Sequence, residues 1–239
     1  MKRPTRHRKK TVREKVRNLN SQLKFPCLVL DHDDTTVNST ATVHYPCFVE
    51  YMETYFPQVH MTLEEYFQAN FDPGVVPMFT EICGLTTEQM MDEERYWKEY
   101  ARNHSAKAYP GIREILTEQK KRGGKIFVVS HSFTENILRD YRENRLPVPD
   151  EVFGWEYPPE KRKPNPWPLQ EIMRKYGFQP AEMLMVDDLK PGYDMARDAG
   201  VPFAAAGWAN DIQAIESFMR KNCGLYFKTV RELYRFLYE

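Results

Sequence analysis

The stretch Pro26 to Val37, PCLVLDHDDTTV, constrains the fold more than any other part of this chain. A short apolar run ends there in three carboxylates, Asp31, Asp33 and Asp34. Apolar runs of this length bounded by polar breakers read as buried strands. A strand that delivers carboxylates at its C-terminal end places them where open α/β sheets bind ligands. Asp31 and Asp33 are two apart, so an extended backbone aims both the same way. Two convergent carboxylates suit a divalent cation, or a nucleophile paired with an acid/base. A solvated loop that carries acids by chance would look the same, and the rest of the chain has to decide.

From Tyr109 onward the sequence alternates. Ile112 to Arg122 reads as a helix, and Lys125 to Val129 as a strand ending in Ser130-His131-Ser132. Ser132 with Glu135 three residues on reads as the cap of the next helix. A further unit begins at Glu151–Gly154, followed by a helix from Trp167 to Tyr176. Strand Met183–Val186, a helix around Tyr193–Ala199 and strand Val201–Ala205 complete the pattern. This alternation predicts a Rossmann-like, doubly wound parallel sheet with helices on both faces.

Residues 41–107 interrupt the alternation with a helical texture. Thr62/Glu65 and Thr86/Gln89 have capping-box spacing, and Phe48, Tyr51 and Tyr55 fall on one helical face. The expected organisation is a catalytic core (24–40 and 108–239) with an inserted all-helical cap domain (41–107) and a basic extension (1–23). Cap aromatics such as Tyr45, Phe48, Tyr51 and Tyr55 either pack together or wall a pocket.

The net charge of zero hides a segregation. Residues 1–24 carry ten Lys/Arg against one acid, and residues 41–107 carry eleven acids against four bases. Such a distribution points to separate modules. In the tail, Val12, Val16, Leu19 and Leu23 predict a short amphipathic helix after a disordered start. No apolar stretch approaches the roughly 20 residues needed to span a bilayer, and no apolar h-region follows the basic start. Cys27, Cys47, Cys83 and Cys223 have no CxxC spacing, so reduced thiols in a cytoplasmic protein are expected and a zinc site is not.

Three more polar sites stand at the ends of expected strands or turns: Ser130, Lys163 in the rigid turn Lys163-Pro-Asn-Pro166, and Asp187-Asp188. In a parallel sheet these ends share one edge, so sites far apart in the chain converge with Asp31. A hydroxyl, an ammonium and two groups of carboxylates suit phosphoryl transfer, which needs positioning and charge neutralisation above all. Each site alone has a plain structural reading, as a helix cap or as surface; together at strand ends they do not.

In this order and spacing, Asp31-x-Asp33-x-Thr35, Ser130, Lys163-Pro-x-Pro166 and Asp187-Asp188 resemble the haloacid dehalogenase superfamily, in its phosphoglycolate phosphatase and β-phosphoglucomutase branch. The flanking Ala108-Tyr-Pro-Gly111 and Asp194-Met-Ala-Arg-Asp-Ala-Gly200 look like it too, over residues 26–239. The insert is similar to that superfamily's first cap class. The resemblance implies that Asp31 is the nucleophile and Asp33 the general acid/base. It implies Mg²⁺ held by Asp31, the main-chain carbonyl of Asp33 and Asp188, with Asp187 assisting. It also implies that Ser130 and Lys163 bind phosphoryl oxygens. Many relatives carry a second acid where this chain has Gly192; the adjacent pair Asp187-Asp188 looks like the alternative arrangement, with Asp188 the favoured ligand. As an acid, Asp33 must start protonated, so burial or Asp34 is expected to raise its pKa. His32, Thr35, His131 and His44 are possible substrate contacts, with structural histidine as the plain reading.

Dehalogenation does not need Asp33, and phosphonatases of the superfamily lack that acid. Sugar phosphomutases keep it and are the serious rival. β-Phosphoglucomutase has a cap histidine twelve residues after the nucleophile; here that place is Val43, and His44 is one residue, or about 100° of helix, out of register. Hydrolysis of a small phosphorylated metabolite, sugar or glycolate-like, is therefore expected. The acidic insert argues against nucleic acid. A monomer or homodimer is expected, and a catalytically silent scaffold is the alternative from another class.

Overall fold

A computed structural model describes residues 23–239. The expected tail helix through Val12, Val16 and Leu19 lies outside the described residues. The described residues form eight strands: β1 Cys27–Leu30, β2 Val37–Asn38, β3 Lys107–Ala108, β4 Lys125–Val129, β5 Glu151–Phe153, β6 Met183–Asp187, β7 Phe203–Ala206 and β8 Leu225–Phe227. Six form one sheet in the order β5-β4-β1-β6-β7-β8. Every pairing in it is parallel.

Strand alternation sorts the core into two layers. Val29, Phe127, Val129, Met183, Met185 and Phe203 face helices Trp167–Tyr176, Lys190–Ala199 and Gln213–Asn222. Leu28, Leu30, Ile126, Val128, Leu184 and Val186 face helices Ile112–Lys121, Thr134–Glu143 and Val230–Tyr238. Covering both faces explains why β1 and β6 are apolar runs with no polar alternation before their terminal acids. Each such aliphatic side chain contributes about 1.5–3 kcal/mol when fully buried.

The chain runs from β1 out to β4 and β5 on one side, then returns to β6, β7 and β8 on the other. The reversal falls between β1 and its two neighbours, and their C-terminal ends open a crevice there. β1 pairs in register with both β4 and β6, which puts Asp31 level with Asp187 and one residue short of Ser130 at the sheet edge.

Between β2 and β3 lies the helical insert, and these two short strands pair antiparallel at its root, Val37 with Ala108 and Asn38 with Lys107. It starts with a π-helical turn, Thr40–His44, and continues in helices Tyr45–Tyr55, Leu63–Phe71 and Thr87–Asn103. Both expected capping boxes form, at Thr62/Glu65 and Thr86/Gln89. Phe48, Tyr51, Met52, Tyr66, Met78 and Phe79 build a separate apolar core there. Phe48 and Tyr51 are buried in it while Tyr55 is exposed. All four cysteines are buried free thiols. Among the described residues, no helix is long and apolar enough to cross a membrane.

Candidate active site

Asp31 leaves the end of β1 with its main-chain N–H donating to Val186. Lys163, carried in the turn before helix Trp167–Tyr176, is buried between two carboxylates. Its Nζ lies 2.9 Å from Asp31 Oδ1 and 2.7 Å from Asp187 Oδ2. Asp188 follows at the tip of β6, where Thr35 Oγ1 donates to its Oδ1 at 3.2 Å. Carboxylate oxygens of Asp31, Asp187 and Asp188 lie within 4.8 Å of one another, all buried. Three carboxylates against one ammonium leave an excess of negative charge. Burial first, and then the neighbouring carboxylates, push the pKa values of Asp31 and Asp188 well above the usual carboxylate range. Lys163 is shifted upward: burial opposes its charge, but Asp187 and Asp31 outweigh that.

These residues fit a divalent cation. Asp188 Oδ2 is buried without a hydrogen-bond donor and Asp31 Oδ1 has Lys163 alone, and a buried anionic oxygen short of partners is costly. A hard cation that accepts carboxylate oxygens would satisfy both. Asp187 has no such vacancy: Oδ2 takes Lys163 and Oδ1 takes the Leu189 N–H at 2.8 Å. The space around it explains Gly192. A Cβ there would lie 2.0 Å from Asp187 Oδ2, so a side chain at 192 and this carboxylate exclude each other.

Asp33 is held by four donors. Ser39 Oγ and His44 Nε2 reach its Oδ1 at 2.7 and 2.8 Å. Ser132 Oγ and Ser130 Oγ reach its Oδ2 at 2.7 and 3.2 Å. Burial alone would raise its pKa; His44, by charge and by hydrogen bond, and then Ser132 hold it well below the ordinary value. The expected upward shift is therefore corrected: donors to the charged form outweigh burial here. Burial lowers the His44 pKa, but Asp33 pulls it up on balance. Trp97 Nε1 donates to His44 Nδ1 at 3.0 Å, and an indole N–H only donates. That bond requires a bare Nδ1, so this geometry belongs to the neutral ring with its proton on Nε2. His44 therefore reaches Asp33 through its Nε2–H in this geometry, and adds its full charge when the ring is protonated and gives up the Trp97 bond.

Several side chains do other work than expected. His32 is buried and pairs with Asp140 at 3.2 Å, stacked on Tyr141, away from the main cavity. Thr35 is fully buried and supports Asp188, so neither residue is placed to touch substrate. Ser130 points at Asp33 and receives the Ser132 N–H instead of lining the cavity. Ser132 is no helix cap; the helix begins after Phe133, and the Ser132 hydroxyl turns to Asp33. Asp34 is also buried, accepting the Thr40 N–H at the start of the π-helical turn, with burial first raising its pKa to about 7. His131 does line the cavity, and its Nε2 donates to the Lys163 carbonyl at 2.9 Å. His44 lines it too, and its contact with Asp33 overturns the register argument against it. The turn that carries it is π-helical, which inserts one residue and re-aims the side chain.

The cavity above Asp31 has a volume of about 120 Å³. Core residues Asp31, Asp33, Lys163, His131 and Trp155 form one wall, and insert residues His44, Tyr66, Phe67, Phe79, Glu93 and Trp97 form the other. The insert aromatics singled out in the sequence, Tyr45, Phe48, Tyr51 and Tyr55, are not among its lining residues.

The family model for haloacid dehalogenase-like hydrolases matches residues 28–206, which hold all of these core residues. The chain belongs to that family. A pyrophosphatase PpaX from Halalkalibacterium halodurans is 23% identical over 187 residues, covering 78% of this chain and 86% of the relative. A phosphoglycolate phosphatase from Vibrio vulnificus is 36% identical over 95 residues, 38% of this chain and 40% of its own. Among solved structures, a haloacid dehalogenase-like family hydrolase from Streptococcus pneumoniae superposes with a TM-score of 0.71 at 15% identity, over 89% of this chain and 98% of the other. This hydrolase thus shares its fold with relatives whose sequences have largely diverged.

Proposed function

We propose that this hydrolase is a Mg²⁺-dependent phosphatase that cleaves a small phosphate monoester through a phosphoryl group held on Asp31. The observation that carries the reading is the buried cluster of Asp31, Asp187 and Asp188 around the single Lys163, with Asp188 Oδ2 left without a partner, at the reversal of the sheet. Relatives named phosphoglycolate phosphatase and pyrophosphatase support the reaction class.

In this reading Asp31 attacks phosphorus, and Lys163 neutralises the oxygen charge that the reaction redistributes. Asp31, Asp188 and the Asp33 carbonyl would hold Mg²⁺, with Asp187 anchoring Lys163. When bound, the ion would neutralise phosphoryl oxygens and orient the group for in-line displacement. Asp33 begins as a carboxylate clamped by four donors. An anionic phosphate arriving beside it raises its pKa by like-charge repulsion, so that it takes up a proton from solvent and passes it to the leaving oxygen. The same carboxyl, again a base, activates water against the phosphorylated Asp31. The helical insert, rooted at the β2/β3 pair, would act as a cap that excludes bulk water and supplies His44 and Trp97.

His44 on Asp33 supports a second reading, a sugar phosphomutase, because it is the contact whose absence the sequence argued. Hydrolysis is preferred because the cavity is small and its lining, with five carboxyls beside Lys163, repels a second phosphate.

The test is hydrolysis of an aryl phosphate with and without Mg²⁺. Wild type should turn over only with the metal, and Asp31→Asn should lose roughly 10³-fold or more, as nucleophile removal does elsewhere. Inactive wild type, or an Asp31→Asn variant of full activity, would sink the reading. Transfer of the phosphate to a sugar hydroxyl instead of water would favour the mutase.

A further inference from the structure

The cap side of the cavity holds one carboxyl that neither the reaction nor the fold uses. Glu93, on helix Thr87–Asn103, is only 7% exposed and lines the cavity. Among the described residues it has no hydrogen-bond or ion-pair partner. Burial, and then the neighbouring Glu94, raise its pKa to about 8. An unpaired acid in such a place is costly and is ordinarily replaced by an apolar residue. Glu94 also lines the cavity, yet Arg162 is close enough to share its charge. The cation nearest in effect to Glu93 is the His44 ring, which is already hydrogen-bonded to Asp33 and does not offset burial.

Aromatic rings share the cavity with Glu93. Tyr66, Phe79 and Trp97 from the insert line it, as does Trp155 from the core, one face of which already carries the Arg162 guanidinium 3.7 Å from its centroid. Trp97 and Trp155 meet edge to face, 6.2 Å between centroids. Aromatic faces around a buried acid form a surface that attracts a cation by ring quadrupole and by charge. They offer nothing to an anion. Lys163 is the cavity's only lysine, and it is already bracketed by Asp31 and Asp187 at the phosphate end.

We propose that Glu93 and these aromatic rings recognise an alkylammonium group on the leaving alcohol, so that the preferred substrate is a short amino-alcohol phosphate. The phosphate would lie at Asp31 and Lys163, and the ammonium at the cap end. Arrival of the cation turns Glu93 into a carboxylate and gives its charge a partner. The same arrangement rejects a carboxylate on the leaving group, so phosphoglycolate is a poor substrate here despite the names of some relatives. This inference rests on the phosphatase reading above.

The experiment compares kcat/KM of wild type for 2-aminoethyl phosphate, its trimethylated form, 2-hydroxyethyl phosphate and phosphoglycolate, with an aryl phosphate as control. At least one of the two cationic esters should exceed 2-hydroxyethyl phosphate by roughly tenfold, the scale of a desolvated cation on aromatic faces. Phosphoglycolate should fall below both neutral and cationic esters. In Glu93→Gln, which keeps shape and removes charge, the cationic-to-neutral ratio should drop toward one. Equal rates for cationic and neutral esters, or a preference for phosphoglycolate, would overturn the inference while turnover of the aryl phosphate leaves the phosphatase reading standing. A ratio unchanged in Glu93→Gln would overturn the role of this residue. No turnover of any ester would overturn the phosphatase reading, and this one with it.

Discussion

Asp187 and Asp188 are neighbours in the chain with different duties. The first spends both oxygens on Lys163 and the Leu189 N–H; the second keeps one oxygen free beside Asp31. Both carboxylates reach within 4.8 Å of Asp31, so their hydrogen-bond partners divide the work: one braces the lysine and the other keeps an oxygen for a cation. The sequence placed both acids at the right edge but could not divide the work, since hydrogen-bond partners are a property of the fold. It undervalued His44 for a related reason: an α-helical turn was assumed, and the chain takes a π-helical one. Ser39 and Trp97 completed the grip on Asp33 unannounced, because they carry no spacing signal of their own, and Ser132 had the spacing of a helix cap instead. His131 gives a prediction at this scale. Burial, and then the Lys163 charge, lower its pKa to about 3, against about 6.5 in an unfolded chain. The folded state therefore binds fewer protons. Stability from this neutral ring is complete above pH ~6.5 and is lost as pH falls toward 3. Thermal melts from pH 7 to 4.5 should drop less in His131→Gln than in wild type. Parallel curves would show that the ring does not report on folding.

Among the elements, helix Lys190–Ala199 is fitted to β6 through Gly192. A Cβ at that position would stand 2.3 Å from Asp187 Cγ. Because the obstructing atom is a buried carboxylate tied to Lys163, it has no free direction in which to yield. Gly192→Ala should cost about 1–3 kcal/mol by overpacking and should raise the Mg²⁺ concentration needed for activity. Denaturant melts and a metal titration check both effects. A variant as stable and as metal-sensitive as wild type would mean that Asp187 moves freely. Strand β4, helix Trp167–Tyr176 and both capping boxes of the insert were legible in the sequence, because periodicity and capping chemistry are local. Strands β2 and β3 were not, since two-residue strands have no period to read. β8 and its flanking helices were also missed. Leu225–Phe227 is too short for a strand signal, although Thr229 and Glu232 make a capping box that could have marked the last helix.

At the level of the whole molecule, the sheet collects charge that it cannot neutralise alone. Asp31, Asp187 and Asp188 confront Lys163 in a buried crevice. A ligand that binds only the folded state stabilises it by mass action, about 2.7 kcal/mol at a hundred times its dissociation constant. Mg²⁺ should therefore raise the melting temperature of wild type. Asp188→Asn should remove most of that response while melting higher than wild type without metal, since it deletes a buried like charge. Identical melting of wild type with and without Mg²⁺ would contradict the metal site. The parallel arrangement of the strands was readable because strands alternate with helices along the chain, and it followed that their polar ends share one edge. The joining of insert to core at the cavity was not readable, because it depends on where helix Thr87–Asn103 comes to rest.

The central claim, that phosphate passes through Asp31 and is released by Asp33, is tested most directly by mass spectrometry of Asp33→Asn after brief exposure to an aryl phosphate and Mg²⁺. An aryl oxygen leaves without protonation, so transfer to Asp31 should proceed while the water step stalls. The Asp31 peptide should then gain the mass of one phosphoryl group, absent from an Asp31→Asn control. Continued turnover by Asp33→Asn at the wild-type rate, or a phosphoryl group found on any other residue, would contradict the account.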